Sequence, residues 1–300
     1  MLWKLQPIQI PPEVIFYIGP LPVTNALLGT WISSIALLLI FFFGTRRRDL
    51  IPSGMQNMVE LIVEYLLNLT EGVAGKVKAK KFFPLVATFF VFILFCNLLD
   101  IFPGVDTIGT LNLEAVRLSH LSPQTSIFLL GQYSDKLTPW VRPGTSDLNL
   151  TLALALVSVI VTQVFGFMAL GPKQQLSKYF NFKAFKHGFQ GPIEFFVGLI
   201  ELVTELSRIL SFSFRLFGNI FAGSAVLAVF AWLLPFVSDA IFIPLEIFVG
   251  FVQALIFALL TLVFMEIGTS SHEEIEPETE KEAMEEYRES EAERETVAAS

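Results

Sequence analysis

The 300-residue sequence has one cysteine, Cys96, and three scattered histidines, so a disulfide framework, a cysteine metal site and a histidine ligand cluster are all excluded. No metal, cofactor or redox chemistry is expected. The opening stretch MLWKLQPIQIPPEVIFYIGP has one lysine and proline punctuation where a signal peptide has a charged start and an unbroken apolar core. Residues 1–23 therefore read as a short leader on the outer side of a membrane. Neither a transit peptide nor an internal repeat is visible, and no nucleic-acid partner is expected. Charge is scarce, with 16% Asp, Glu, Lys and Arg, and it is unevenly spread. Twelve glutamates lie in residues 271–300 against Lys281, Arg288 and Arg294, so the net charge of −8 belongs to this tail and the rest of the chain carries +1. The tail lacks an apolar stripe and reads as solvated and cytoplasmic, with a regulatory or docking role as the alternative.

What is abundant is apolar: 53% hydrophobic residues, 31 phenylalanines and a mean hydropathy of +0.63, a composition far from that of soluble domains. Several runs are long enough to cross a hydrocarbon core of about 30 Å. The expected fold is an all-α polytopic membrane protein with about five membrane helices, at 24–43, 82–102, 148–170, 192–234 and 241–267. The last two form a long tilted hairpin. An amphipathic surface helix is expected at 52–79 and an external loop at 103–147, so residues 24–270 read as a single membrane domain. Lys and Arg number eleven in the loops assigned inside and four outside, which puts the N-terminus outside and the C-terminus in the cytoplasm. The fourth stretch, 192–234, would extend about 64 Å as a helix, twice the membrane thickness. It contains no proline or glycine near Arg208 to Ser213 on which to turn, whereas WLLPFVSDAIFIP does. One long tilted helix follows.

That helix carries the most informative residues. ILSFSFRLFGNIFAGSAVLAVFAWLL, residues 209–234, places Arg215 and Asn219 in an otherwise uncharged apolar run. A guanidinium cannot discharge itself by losing a proton, and a fixed charge in hydrocarbon costs at least a few kcal/mol, so something negative is expected to meet it. Glu201, Arg208 and Arg215 are spaced by seven and share a face, with Glu205 nearby. On the last helix Glu246 and Gln253 are also seven apart, with Gly250 between them. Packed antiparallel, the two helices give two half-length polar paths, one to each surface, meeting beside a fixed cation that repels bare cations and attracts a carboxylate. The structural alternatives are an intrahelical pair of Arg215 with Glu201 or Glu205, amide bonding between helices by Asn219 and Gln253, and an interfacial carboxylate at Glu246.

The runs SFRLFGNIFAG and FVQALIFALLTLVF, with FVFILFCNLLDIFPG and RPGTSDLNLTLALAL earlier in the chain, closely resemble subunit a of the F-type ATP synthases, the membrane stator that faces a rotating ring of c subunits. The resemblance covers all but the leader, parts of the 103–141 loop and the tail. It implies that Arg215 is the essential arginine displacing the proton from each ring carboxylate. Asn219 and Gln253 would line the site beside it, Glu246 would serve the outer half-channel and Glu201 the inner one. It also implies partners: the c-ring, the peripheral-stalk b subunits and the remainder of the ATP synthase; with no transit peptide apparent, the plasma membrane of a bacterium is the expected location. One departure is Ser224, where the family often has Glu or His in the outer half-channel; serine cannot carry a proton at neutral pH, which moves that burden to Glu246. The competing classes, an intramembrane enzyme or a secondary ion transporter, would need a nucleophile with its base, a ligand cluster or inverted repeats.

Overall fold

The computed structural model describes residues 12–46, 54–102, 105, 108–111, 137–172, 175, 191–233 and 237–270. The start of the leader, Arg47 and Arg48, residues 112–136 of the external loop, the lysines of 173–190 and the acidic tail lie outside the described residues.

The chain opens with a hairpin of β1 (Val14–Ile18) and β2 (Leu21–Thr24), where the sequence suggests only a leader. Alternating Val, Phe and Ile at 14–18 suit a pleated ribbon. Asn25 ends the hairpin by accepting from the Ala26 and Glu13 backbone N–H groups at 2.9 and 3.2 Å, while Thr24 Oγ1 accepts from Leu27 N–H at 3.3 Å. These contacts satisfy otherwise orphaned donors at the start of α1 (Asn25–Arg46). Within α1, Thr30, Ser33 and Ser34 donate to the carbonyls four residues back, the usual way for a hydroxyl to sit in apolar surroundings.

The next helix, α2 (Met55–Asp100), is interrupted at Gly75, whose φ of 68° and ψ of 159° are non-helical. The residue is glycine because side chains other than hydrogen are strained at that φ. The break falls inside the stretch expected as a surface helix over 52–79, so Lys76, Lys78, Lys80 and Lys81 begin the second segment instead of ending the first. A small ribbon of β3 (Gly109–Leu111) and β4 (Leu137–Pro139) and a 3₁₀ turn at Gly144–Ser146 precede α3 (Leu148–Leu170). The chain then forms α4 (Gly191–Leu233), unbroken over 43 residues, and α5 (Val237–Thr269). Five helices among the described residues are long and apolar enough to cross a membrane, and the protein is an all-α, multi-pass membrane protein.

Two compact units divide the chain, Met1–Val159 with Val203–Val263, and Ile160–Leu202 with Phe264–Ser300. In the first, hydroxyls and amides face inward. Ser158 and Thr261 share a hydrogen bond at 2.8 Å, Thr151 and Ser213 another at 3.2 Å, and Phe257 packs its ring against Phe89 and Phe212 at 5.3 and 5.2 Å. Large apolar side chains such as Leu38 and Phe42 point out, 71% and 59% exposed. Polar inside and apolar outside is the pattern of helices packed in lipid, where small residues and interhelical hydrogen bonds take over from hydrophobic burial. In the second unit Gln175 donates to Gln163 at 3.0 Å, and Gly268 lies close against Thr162.

Candidate functional site

The two arginines of α4, seven residues apart, have different surroundings. Arg208 donates to both oxygens of Glu205, one turn before it, at 3.1 and 3.2 Å. Arg215 is exposed and makes no hydrogen bond or ion pair with another described residue. The intrahelical pairing that would have made it structural is therefore taken up by Arg208. Its side chain leaves the helix beside an outward apolar face, in which Val203, Leu206, Leu210 and Phe214 are each more than half exposed.

A cleft of about 210 Å³ opens between α4 and α5. Asn219, one turn after Arg215, lines it together with Gly223, Glu246 and Gly250, and the remaining walls are aliphatic or aromatic. The helices approach closely here because Gly223 has no side chain: a Cβ at that position would sit 3.1 Å from Glu246 Oε1. Ser224, the next residue, donates to the Ile220 carbonyl at 2.9 Å and reaches Asp100 Oδ2 at 3.3 Å. Asp100 is the last residue of α2.

The structure thus gathers Asn219, Ser224 and Glu246 around one region. Gln253 lies two turns beyond Glu246 on α5, buried, with its amide nitrogen lacking a partner among the described residues. Glu201 is half-buried and belongs to the second unit. Sequence reasoning missed Asp100 as a member of the group, and it missed Asn97, which bonds to α5 one turn earlier. The available signal was local: two polar residues one turn apart at the end of an apolar helix, in NLLD, sharing a face.

The described geometry lies within a stretch that other proteins share. A family model described as ATP synthase A chain matches residues 27–266, taking in Asp100, Arg215, Asn219, Ser224, Glu246 and Gln253. ATP synthase subunit a of Moorella thermoacetica is 30% identical over 257 residues, covering 86% of this chain and 96% of that protein. The subunit a of Gloeobacter violaceus is 29% identical over 268 residues, 89% of this chain and 93% of its own length. That of Campylobacter jejuni is 32% identical over 231 residues, or 76% and 82%. A match that begins in α1, ends in α5 and spans nearly the full length of these relatives places the whole membrane portion in one lineage: the chain belongs to the ATP synthase A chain family.

Proposed function

We propose that this chain, as a membrane subunit of an F-type ATP synthase, provides two offset half-channels through which protons reach and leave the carboxylates of a rotating c-ring, coupling ion flow to rotation and ATP synthesis. The observation that carries this reading is Arg215, a permanent cation exposed beside an apolar helix face with no carboxylate of its own among the described residues. A complementary surface would be apolar and would bring one acidic group at a time, which is what a ring of hydrophobic helices offers. At about 4 Å and an effective dielectric near 20, the attraction between a carboxylate and this guanidinium is about 4 kcal/mol. That is well above thermal energy, yet small enough for the acid to reprotonate and leave.

In this reading Glu246, with Ser224 near it, belongs to the outer half-channel, Asn219 and Gln253 line the site beside the arginine, and Glu201 serves the inner half-channel. The positive charge between the two paths prevents a bare cation from running straight through. The chain carries no catalysis of its own; it needs the c-ring, the peripheral-stalk b subunits and the rest of the synthase. The loop charges put its N-terminus outside and its acidic tail in the cytoplasm of a bacterium. The test is ATP-driven acidification of inverted membrane vesicles carrying the native chain or Arg215→Ala, after equal assembly of the whole complex has been confirmed. Loss of acidification supports the reading, and native acidification by Arg215→Ala removes it.

A further inference from the structure

We propose that Thr151 and Ser213 form a positioning clamp that fixes the rotation of α4 about its own axis and so aims Arg215; this rests on the half-channel reading above. Ser213 is two residues before Arg215, so at about 100° per residue their side chains leave α4 about 200° apart, on nearly opposite faces. Arg215 is exposed, whereas Ser213 is 0% exposed and lies on the buried side with Phe212, Leu216 and Ile220. A hydroxyl buried among apolar side chains needs a partner, and that of Ser213 belongs to another helix: Thr151 Oγ1 of α3, at 3.2 Å. Thr151 Oγ1 itself donates to the Leu148 carbonyl at 3.1 Å, which uses its one proton and leaves the Ser213 hydroxyl as the donor to it. Two bonds in series thus run from the back of the arginine helix to Leu148, the first residue of α3.

Three contacts close a triangle behind Arg215. Phe212, next to Ser213, packs its ring against Phe257 of α5 at 5.2 Å, and α3 and α5 are joined in turn by Ser158 and Thr261 at 2.8 Å. Adjacent residues of α4 are therefore held to two different helices that are tied to each other. The ring contact tolerates some turning of α4, but a hydrogen bond weakens steeply as its angle degrades, so the hydroxyl bond is the more orientation-sensitive of the two. Leu210 and Phe214 on the other side are more than half exposed, so the hold comes from the buried face. A group about 6 Å from a helix axis moves about 2 Å when the helix turns by about 20°. A displacement of that size takes a guanidinium out of contact with a carboxylate that must be met at about 4 Å.

Substitutions at 151 separate the bond from the packing. Valine keeps the volume of threonine and loses the hydroxyl, whereas serine loses a methyl group and keeps the hydroxyl. Ser213→Ala removes the bond from the other end and strands no donor, because Thr151 continues to donate to the Leu148 carbonyl.

The experiment uses the complete ATP synthase in inverted vesicles and follows ATP-driven acidification per assembled complex for Thr151→Val, Thr151→Ser, Ser213→Ala and the double variant Thr151→Val with Ser213→Ala. The clamp predicts a several-fold slower rate for Thr151→Val and for Ser213→Ala, a near-native rate for Thr151→Ser, and a double variant no slower than the slower single, since both changes remove one bond. A native rate in either Thr151→Val or Ser213→Ala overturns it. So does a loss in Thr151→Ser as large as that in Thr151→Val, which makes the site one of packing, and so do losses that multiply in the double variant. If Thr151→Val does not assemble, Ser213→Ala set against Thr151→Ser carries the same test. Arg215→Ala runs alongside: if it still pumps, the half-channel reading itself fails, whereas a dead Arg215→Ala with native Thr151→Val and Ser213→Ala removes only the clamp.

Discussion

The buried amide of Asn97 donates to the Gly250 carbonyl at 3.1 Å and accepts from Thr145 Oγ1 at the same distance, so one side chain joins α2, α5 and the turn before α3. Replacing it with leucine strands the Thr145 hydroxyl and crowds a helix contact so close that a Cβ at Gly250 would lie 3.1 Å from Asn97 Cβ. Asn97→Leu is expected to cost about 1–3 kcal/mol, the range for a buried polar group losing its partner. A fall of several degrees in the unfolding temperature of the detergent-solubilised complex is the readout; an unchanged temperature means that the contact contributes little.

The contrast between Arg208 and Arg215 makes a sharper prediction. The Arg208–Glu205 pair at 3.1 Å joins two residues one turn apart on the same helix, and such i,i+3 pairs are worth on the order of 0.5 kcal/mol. Arg208→Gln should leave both assembly and vesicle acidification within about twofold of native, whereas Arg215→Gln should abolish acidification with assembly intact. Equal effects at the two positions would remove the distinction drawn between them.

Gly223 tests the cleft. Alanine there brings its Cβ to 3.1 Å from Glu246 Oε1, a distance that a shift of a few tenths of an ångström in the carboxyl relieves, so Gly223→Ala should slow proton transport modestly. Leucine would occupy much of the space between α4 and α5. Acidification by Gly223→Leu should fall at least tenfold, with subunit levels judged by immunoblot close to native.

Glu246→Gln and Glu201→Gln remove the ionisable group on the two proposed paths while keeping side-chain volume. Each is expected to reduce ATP-driven acidification several-fold without halting it. Complete activity in both would leave Arg215 without identified routes to either surface.

Phe257 is 2% exposed and holds ring contacts with Phe89 and Phe212, so its truncation opens a cavity at the junction of three helices. Phe257→Ala should destabilise the subunit by about 3 kcal/mol or more and lower its steady-state amount, with Phe257→Leu much milder. Comparing subunit abundance in membranes checks this.

Much of this molecule can be read from one dimension of text. The number of membrane-crossing helices and the unbroken α4 follow from composition and spacing along the chain. The pairing of Glu205 with Arg208, which leaves Arg215 without that partner, is a finding of the structure: the spacing alone left Glu205 open to either arginine. What could not be read depends on contacts between distant residues. Ser224 and Asp100 are 124 positions apart, and nothing in either local pattern specifies that they meet. Asn97 looks like a polar residue nearing a surface, yet it is 2% exposed and bonded to α5. The hairpin at 14–24 escaped because its strands are short and its turn is a proline-flanked Gly19, equally suited to an irregular leader. The break at Gly75 escaped because glycine in a helical pattern is often tolerated.

That break has consequences on the clock of amide exchange. A helix resists opening because each turn props the next, and the prop is missing where Gly75 takes φ 68° and ψ 159°. Residues 55–74, anchored by Leu66 and Thr70, and 76–100, anchored by Ile93, Cys96 and Asn97, all at most 2% exposed, are therefore expected to give up their backbone protons to deuterium as two separate units. A single helix by eye, α2 is expected to exchange as two.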